Sequence, residues 1–210
     1  MKKIIPVAIV GFIITMAVSA YFGKVESALS DNVLRLHVIA NSDSDADQQL
    51  KLKVRDKILR SSGAFAKEKT VAEAKKAVKA DIAEIEKTAR EAVRENGYDY
   101  PVKVTFGKSD FPTKAYGKVT LPAGTYEALK VEIGEAKGKN WWCVMFPPLC
   151  FVDASSPEMG EEAMAVLKEN LTADEYALVT NSENGGVEIK FKAYEIWQNG
   201  KNKVKLMLKK

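Results

Sequence analysis

The segment from Gly138 to Asp153 constrains this chain most, because it holds two of the three tryptophans and both cysteines of the protein. Trp141 to Phe146 is an apolar run without alternation, which is typical of a strand covered on both faces. Pro147 and Pro148 follow, and proline has no N–H to donate to a sheet ladder. The sequence therefore predicts a buried strand that ends in a reversal at the two prolines, with Leu149 to Val152 running on beyond it.

The N-terminus has the pattern of an export signal. Lys2 and Lys3 precede the uncharged apolar run Ile4–Phe22, and small residues up to Ala20 suit a signal peptidase. The alternative is an uncleaved anchor, since a run of this length just spans a bilayer. In both cases the two lysines keep the N-terminus inside, so we expect the remainder to act outside the cytoplasm. Residues 1–22 are therefore predicted to be a signal peptide or membrane anchor.

A buried strand and a helix follow the leader. Residues 23–31 form a short polar linker, and Val33–Ala40 is a β-branched and leucine-rich run that predicts a strand. Asn41–Ser44 breaks this run and supplies capping side chains for a helix that begins near Asp45. Apolar residues at every fourth position give this helix an apolar stripe, and it is predicted to end near Ser61-Ser62-Gly63.

A second helix is predicted between Thr70 and Gly97. Thr70 and Glu73 have capping-box spacing, and Gly97 suits a left-handed C-cap. The helix has one continuous apolar stripe, formed by Val71, Ala74, Val78, Ile82, Ile85, Ala89 and Val93.

The hydrophobic period then changes from 3.6 to 2. Val102–Phe106, Tyr116–Leu121 and Leu129–Ile133 are predicted strands, with a loop at 107–113 and the Trp141 strand following. Short turns between four strands predict an antiparallel meander. We expect the strand from Val33 to join it, with the two helices on one face. The predicted fold is α+β: a mixed, mainly antiparallel sheet of about five strands, helices packed on one face, behind an N-terminal signal or anchor helix.

The predicted signalling domain covers 32–153, and 154–210 is a helical extension. Ser156-Pro157 and the capping box of Thr172 and Glu175 predict two helix starts. The segment 187–210 alternates like a strand but also fits a helix, which we favour. A net charge of +4, with lysines interspersed among acids, argues against nucleic-acid binding.

Six residues separate Cys143 from Cys150, on either side of the proline pair. The reversal can bring their Cα atoms within the ~4.4–6.8 Å that a disulfide requires, and export permits oxidation. The alternatives are two buried thiols or a metal site. Zinc is disfavoured by the spacing and by the distance in sequence to the only histidine, so no metal and no cofactor is predicted.

Two enzyme-like or metal-like patterns have simpler explanations. His37 with Cys143 as nucleophile, oriented by Asn41, would make a thiol enzyme, but the apolar run would raise the pKa of Cys143. Asp43 and the two following aspartates resemble a calcium loop, yet Gln48 stands where that loop needs glycine. Acidic residues at a helix N-terminus are explained by the helix dipole.

Three strings resemble the stage II sporulation protein R family: Leu34–Asp56, Val102–Phe106 and Leu121–Asp153. The Asn-Ser-Asp turn and the Asn-Trp-Trp-Cys-x-x-Phe-Pro-Pro-x-Cys run carry the resemblance, which thins after Asp153. It implies an intercompartmental signal of endospore formation, exported from the forespore into the space between forespore and mother cell. There such proteins trigger a mother-cell membrane aspartic protease that processes pro-sigma-E.

Since the sequence contains no complete catalytic set, we expect the protein to be no enzyme and to act by binding the membrane-embedded protease that the resemblance implies. Aromatic side chains are typical binding hot spots, although they also serve as core. An exported thiol enzyme and an envelope-associated structural protein are the alternatives. The candidate partner-binding residues are His37, Asn41, Asp43, Trp141, Trp142, Phe146, Pro147, Pro148, Phe151 and Asp153.

Overall fold

The computed structural model describes Met16 and residues 29–61, 68–116, 119–150 and 161–180. Among these residues, no helix is both long enough and apolar enough to cross a membrane. The predicted leader, apart from Met16, lies outside the described residues, as do the start of the linker and the segment 187–210. The predicted domain boundaries therefore stay predictions.

Six strands and five helices have both ends among the described residues, in an α+β arrangement, and residues 29–31 at the end of the predicted linker are also helical. In chain order they are β1 (Leu34–Ile39), α1 (Asp45–Ser61), α2 (Val71–Ala80), α3 (Ile82–Glu95), β2 (Val102–Phe111), β3 (Lys114–Tyr116), β4 (Val119–Leu121), β5 (Gly124–Ile133), β6 (Asn140–Phe146), α4 (Glu161–Asn170) and α5 (Ala173–Thr180).

Four of the strands form a mixed sheet in the order β2-β5-β1-β6. β1 runs parallel to β5 and antiparallel to β6, while β2 is antiparallel to β5. The predicted meander is wrong, because β1 lies between β5 and β6 and separates them. The expectation that the strand from Val33 joins the sheet is confirmed. All six residues of β1 are buried, as a central strand requires.

The short strand predicted at Tyr116–Leu121 is two strands, β3 and β4, which pair only with each other. The predicted loop at 107–113 is also wrong, because β2 continues to Phe111 in unbroken register with β5. Phe111 is buried and packs edge-on against Tyr126, and this packing extends the strand.

Alternation along the strands gives the sheet two distinct faces. Leu36 and Val38 of β1 lie on the face that α1 and α2 cover, and α3 packs along β2. Arg35 and His37 lie on the opposite face, where the β3–β4 ribbon contacts Arg35 through Tyr116.

Helix starts and stops agree closely with the capping patterns. Ser44 caps α1 by accepting a hydrogen bond from the Asp47 amide at 3.2 Å. The box of Thr70 and Glu73 is present, and Gly97, at φ 83°, closes α3 in the predicted left-handed conformation.

The single helix predicted up to Gly97 is wrong, because it bends at Asp81 into α2 and α3. Asp81 has φ −102° and ψ 11°, outside the helical region. Its short polar side chain favours non-helical backbone, while the apolar stripe continues across it and hides the bend. The bend lets α2 lie over β1 and α3 over β2.

In the extension, the box of Thr172 and Glu175 is confirmed at the start of α5. Helix α4 begins at Glu161, while the predicted start at Ser156-Pro157 lies outside the described residues.

Candidate partner-binding site

His37 is held on the face opposite the helices. It is only 8% exposed and stacks on Trp142 with ring centroids 5.8 Å apart. Nε2 lies 2.8 Å from Asn140 Oδ1, an acceptor, so this nitrogen carries the proton. In the neutral ring Nδ1 then accepts from the Ser109 hydroxyl at 3.3 Å. Burial lowers the pKa of His37, so the ring is neutral at physiological pH.

Cys143 lies on the other face of the same sheet. In the pairing of β1 with β6, Cys143 is opposite Leu36, whereas His37 is opposite Trp142. Because adjacent residues of a strand point to opposite faces, His37 and Cys143 are separated by the sheet itself. The structure does not bring together the nucleophile and base of the thiol-enzyme alternative.

Cys143 and Cys150 are joined by a disulfide, with their Cα atoms 5.0 Å apart and both residues buried. The chain reverses between them through a cis peptide bond at Phe146–Pro147. The Leu149 amide donates to the Val144 carbonyl at 3.0 Å and closes the reversal.

The two tryptophans are half-buried and point to different faces. The Arg55 guanidinium lies 4.1 Å from the centre of the Trp141 ring on the helix side, whereas Trp142 stacks on His37. Both indole N–H groups are buried without a hydrogen-bond partner among the described residues. Because both residues are only half-buried, the rest of each side chain offers a partly exposed aromatic surface.

The remaining aromatic and proline candidates differ in exposure. Phe146 belongs to the hydrophobic core and Pro147 is buried, while Pro148 is half-buried. Phe151 and Asp153 lie outside the described residues. Within the described part of this segment, a partner can therefore reach the two tryptophans and Pro148 but not Phe146.

Asn41 and Asp43 tie the β1–α1 turn to the β5–β6 loop, an arrangement we call the clasp (residues 41–44 and 134–139). Asn41 Oδ1 accepts from the Glu135 amide at 2.9 Å, and Asp43 Oδ1 accepts from the Lys139 amide at 2.7 Å. The Gly138 amide donates to the Ala40 carbonyl at 3.0 Å. Asn41 is half-buried and committed to this contact, whereas Asp43 remains exposed.

Asp47, which is 4% exposed, holds the β1–α1 turn of the clasp in place. Its Oδ2 accepts from the Ser42 hydroxyl at 2.6 Å and from Asn41 Nδ2 at 2.8 Å. The Ser42 hydrogen bond is the main cause that lowers the pKa of Asp47. The acidic turn thus serves the fold, and the described residues contain no group of three or more side chains placed to hold a metal ion.

The sequence reading missed the most unusual group on the His37 face. Arg35 is fully buried, and its guanidinium lies 4.0 Å from the Phe111 ring centre and 4.8 Å from that of Tyr126. Its Nη2 donates to the Tyr116 hydroxyl at 2.6 Å, but Nε and Nη1 have no partner among the described residues. The available signal was a charged residue inside the apolar run Val33–Ala40.

Burial raises the pKa of Tyr116, so its hydroxyl stays protonated and donates to the Trp142 carbonyl at 3.3 Å. Tyr116 therefore links the buried Arg35, the β3–β4 ribbon and the backbone of β6.

Two comparisons with known proteins found matches. The family model described as stage II sporulation protein R matches residues 30–156. The stage II sporulation protein R of Bacillus subtilis (strain 168) is 38% identical over 172 residues, which cover 77% of each chain. No solved structure matches. The family supports a role in sporulation signalling and is not a known enzyme family. This chain belongs to the stage II sporulation protein R family.

Proposed function

We propose that this protein is an exported signal of endospore formation that activates a mother-cell membrane aspartic protease by binding it. It would leave the forespore through its N-terminal segment and act in the space between forespore and mother cell. The protease then removes the pro-segment of sigma-E. The observation that carries the proposal is the family match, which spans residues 30–156 and includes the clasp and the tryptophan pair.

The geometry supports binding rather than thiol chemistry. The sulfur of Cys143 is bonded to Cys150, and His37 lies across the sheet with both ring nitrogens engaged. A thiolate catalyst needs a free sulfur within reach of its base, and neither condition is met here.

Activation by binding has a definite energetic requirement. A ligand shifts a protease from inactive to active only through better contacts with the active form. Moving the ratio from 1:99 to 99:1 takes about 5.5 kcal/mol of differential affinity. Three hot-spot side chains of about 2 kcal/mol each, or two of about 3 kcal/mol each, supply that amount. Trp141 and Trp142 are partly exposed and suit this role.

Forespore expression tests the proposal. The full chain, produced only in the forespore of a strain that lacks its own family member, should restore sigma-E processing in the mother cell. A chain without residues 1–22 should fold but stay in the forespore cytoplasm and leave sigma-E unprocessed. Normal processing driven by that truncated chain would refute export.

A purified chain that cleaves pro-sigma-E without the membrane protease would refute activation by binding. The His37→Gln variant tests whether His37 takes a chemical part in signalling. We expect it to restore sigma-E processing in proportion to the amount of folded protein. A fully folded but silent variant would instead assign His37 a direct part in signalling.

A further inference from the structure

β2 forms one outer edge of the four-stranded sheet, and its backbone groups alternate between β5 and the outside. Two contacts show which residues face outward. The Val104 amide donates to Glu86 Oε2 at 3.1 Å, and the Val102 carbonyl accepts from Arg90 Nη2 at 3.5 Å. Both partners lie on α3, so the even-numbered residues of β2 direct their N–H and C=O groups away from β5.

Helix α3 covers only the first half of this edge. The register of β2 with β5 continues without a shift to Phe111. The backbone groups of Phe106, Lys108 and Asp110 therefore also point outward, and none has a hydrogen-bond partner among the described residues. We call residues 106–110 the open edge. An uncovered row of strand donors and acceptors is a template for another strand.

Gly107, in the middle of the open edge, has no role in the fold that the structure reveals. A Cβ added there would have nothing within 4 Å, and its backbone is not left-handed. Glycine weakens a strand interior and often marks a place where another backbone approaches closely. The bare backbone at Gly107 leaves room for such an approach.

The charges around the open edge select the partner. Lys108, within the open edge, is exposed and has no ion-pair partner among the described residues. Glu127, which is opposite Lys108 in the register, is paired with Lys75 at 2.9 Å and with Lys79 at 3.5 Å, so three lysines stand beside the two carboxylates Glu127 and Asp110. The edge therefore has an excess of positive charge, which favours an acidic segment.

We propose that the open edge of β2 binds an extended, acidic segment of a partner protein, which adds to the sheet as a further strand. This mode of recognition takes its affinity from backbone hydrogen bonds and its specificity from alternate side chains. The proposal deepens the proposed function, since the partner that it describes is the protein that receives the signal.

The test uses proline at two adjacent positions. Lys108→Pro removes an outward N–H and places a ring where the partner strand would bind, so the ladder to β5 stays intact. Ser109→Pro removes an inward N–H and should destabilise the fold. Lys108→Gln and Lys108→Glu vary the charge alone. Each full-length variant is scored for thermal unfolding when purified, and for heat-resistant spores in a strain that lacks its own family member.

We expect Lys108→Pro to melt close to wild type. Loss of one good contact weakens binding of the partner about tenfold, and we expect spore yield to fall by at least about the same factor. Lys108→Glu should lower the yield more than Lys108→Gln. A folded Lys108→Pro protein that restores wild-type spore numbers would overturn the proposal. So would Lys108→Gln self-association with normal spore yield, because Lys108 would then only keep copies apart.

Spore yield and sigma-E processing separate this proposal from the proposed function. If wild type restores spores without restoring sigma-E processing, the proposed protease target is wrong. The comparison of proline variants by spore yield still decides whether the open edge binds a partner.

Discussion

Replacing Gly138 by alanine should break the clasp. An added Cβ would lie 2.1 Å from the Ser42 carbonyl oxygen and 2.5 Å from its carbon, which is closer than real Cβ atoms come. Ser42 cannot retreat freely, because its carbonyl accepts from Gln48 Nε2 at 2.8 Å and its hydroxyl binds Asp47. The loop must therefore shift, and the Lys139–Asp43 bond shifts with it.

The cost follows from two contributions. Overpacking a close contact costs about 1–3 kcal/mol, and loss of the hydrogen bond from the Lys139 amide to the Asp43 carboxylate adds about 1 kcal/mol. We therefore expect Gly138→Ala to lower the free energy of unfolding by roughly 2–4 kcal/mol, a large share of the ~5–15 kcal/mol of a typical domain.

Two other glycines provide matched controls. Gly97 has φ 83° with nothing within 4 Å of an added Cβ, so its alanine variant should lose only the left-handed penalty of about 1–2 kcal/mol. Gly107 has neither problem, so Gly107→Ala should be neutral or stabilise by about 0.4–1 kcal/mol. Gly134 combines φ 59° with Asn41 Oδ1 at 2.2 Å, so its alanine variant should lose the left-handed penalty and also displace the Asn41 side chain.

Urea unfolding of the oxidised chain measures the free energy of unfolding of each glycine variant. The variants are compared where the slope of that free energy against urea concentration is unchanged. The reasoning fails if Gly138→Ala costs no more than Gly97→Ala, because the clasp would then yield without loss. A large loss for Gly107→Ala would refute the assignment of open space at that position.

Three further outcomes are expected. Thiol alkylation of the native oxidised chain should label neither Cys143 nor Cys150, and losing their bridge, which closes a loop of about eight residues, should cost roughly 2–3 kcal/mol; labelling without reduction would contradict the disulfide. Because burial lowers the pKa of His37 below 6.5, its contribution to stability is complete above about pH 6.5 and declines as pH falls towards the folded-state pKa. Urea unfolding at about pH 7.5 and about pH 5 should therefore show less pH dependence for His37→Gln than for wild type, and equal dependence would refute the assignment. Tyr116→Phe leaves the buried Arg35 guanidinium without its one hydrogen bond to a described residue and should cost about 1–3 kcal/mol in the same assay, whereas a neutral effect would show that the ring contacts suffice.

Local features of this protein could be predicted from its sequence. The two capping boxes, the Gly97 cap and the helix start after Ser44 depend on side chains within a few residues of one another. The existence of β1, β2, β5 and β6 followed from their hydrophobic patterns, and the reversal at Pro147 followed from proline chemistry. Motif resemblance, not periodicity, pointed to the family.

Pairing between distant strands was decided only by the tertiary structure. The order β2-β5-β1-β6 places a strand from the start of the domain between two later neighbours, where the sequence favoured a meander. The buried Arg35 required Phe111 and Tyr126 to meet it across the sheet, which is why β2 continues through the predicted loop.

The candidate site also depended partly on the sequence and partly on the tertiary structure. Its residues were visible in the sequence, but only the register of β1 with β6 placed His37 and Cys143 on opposite faces. A shift of one residue in that register would move the side chains of β6 to the opposite face relative to those of β1. Strand register is set by packing and hydrogen bonds between segments about a hundred residues apart, and no local pattern encodes it.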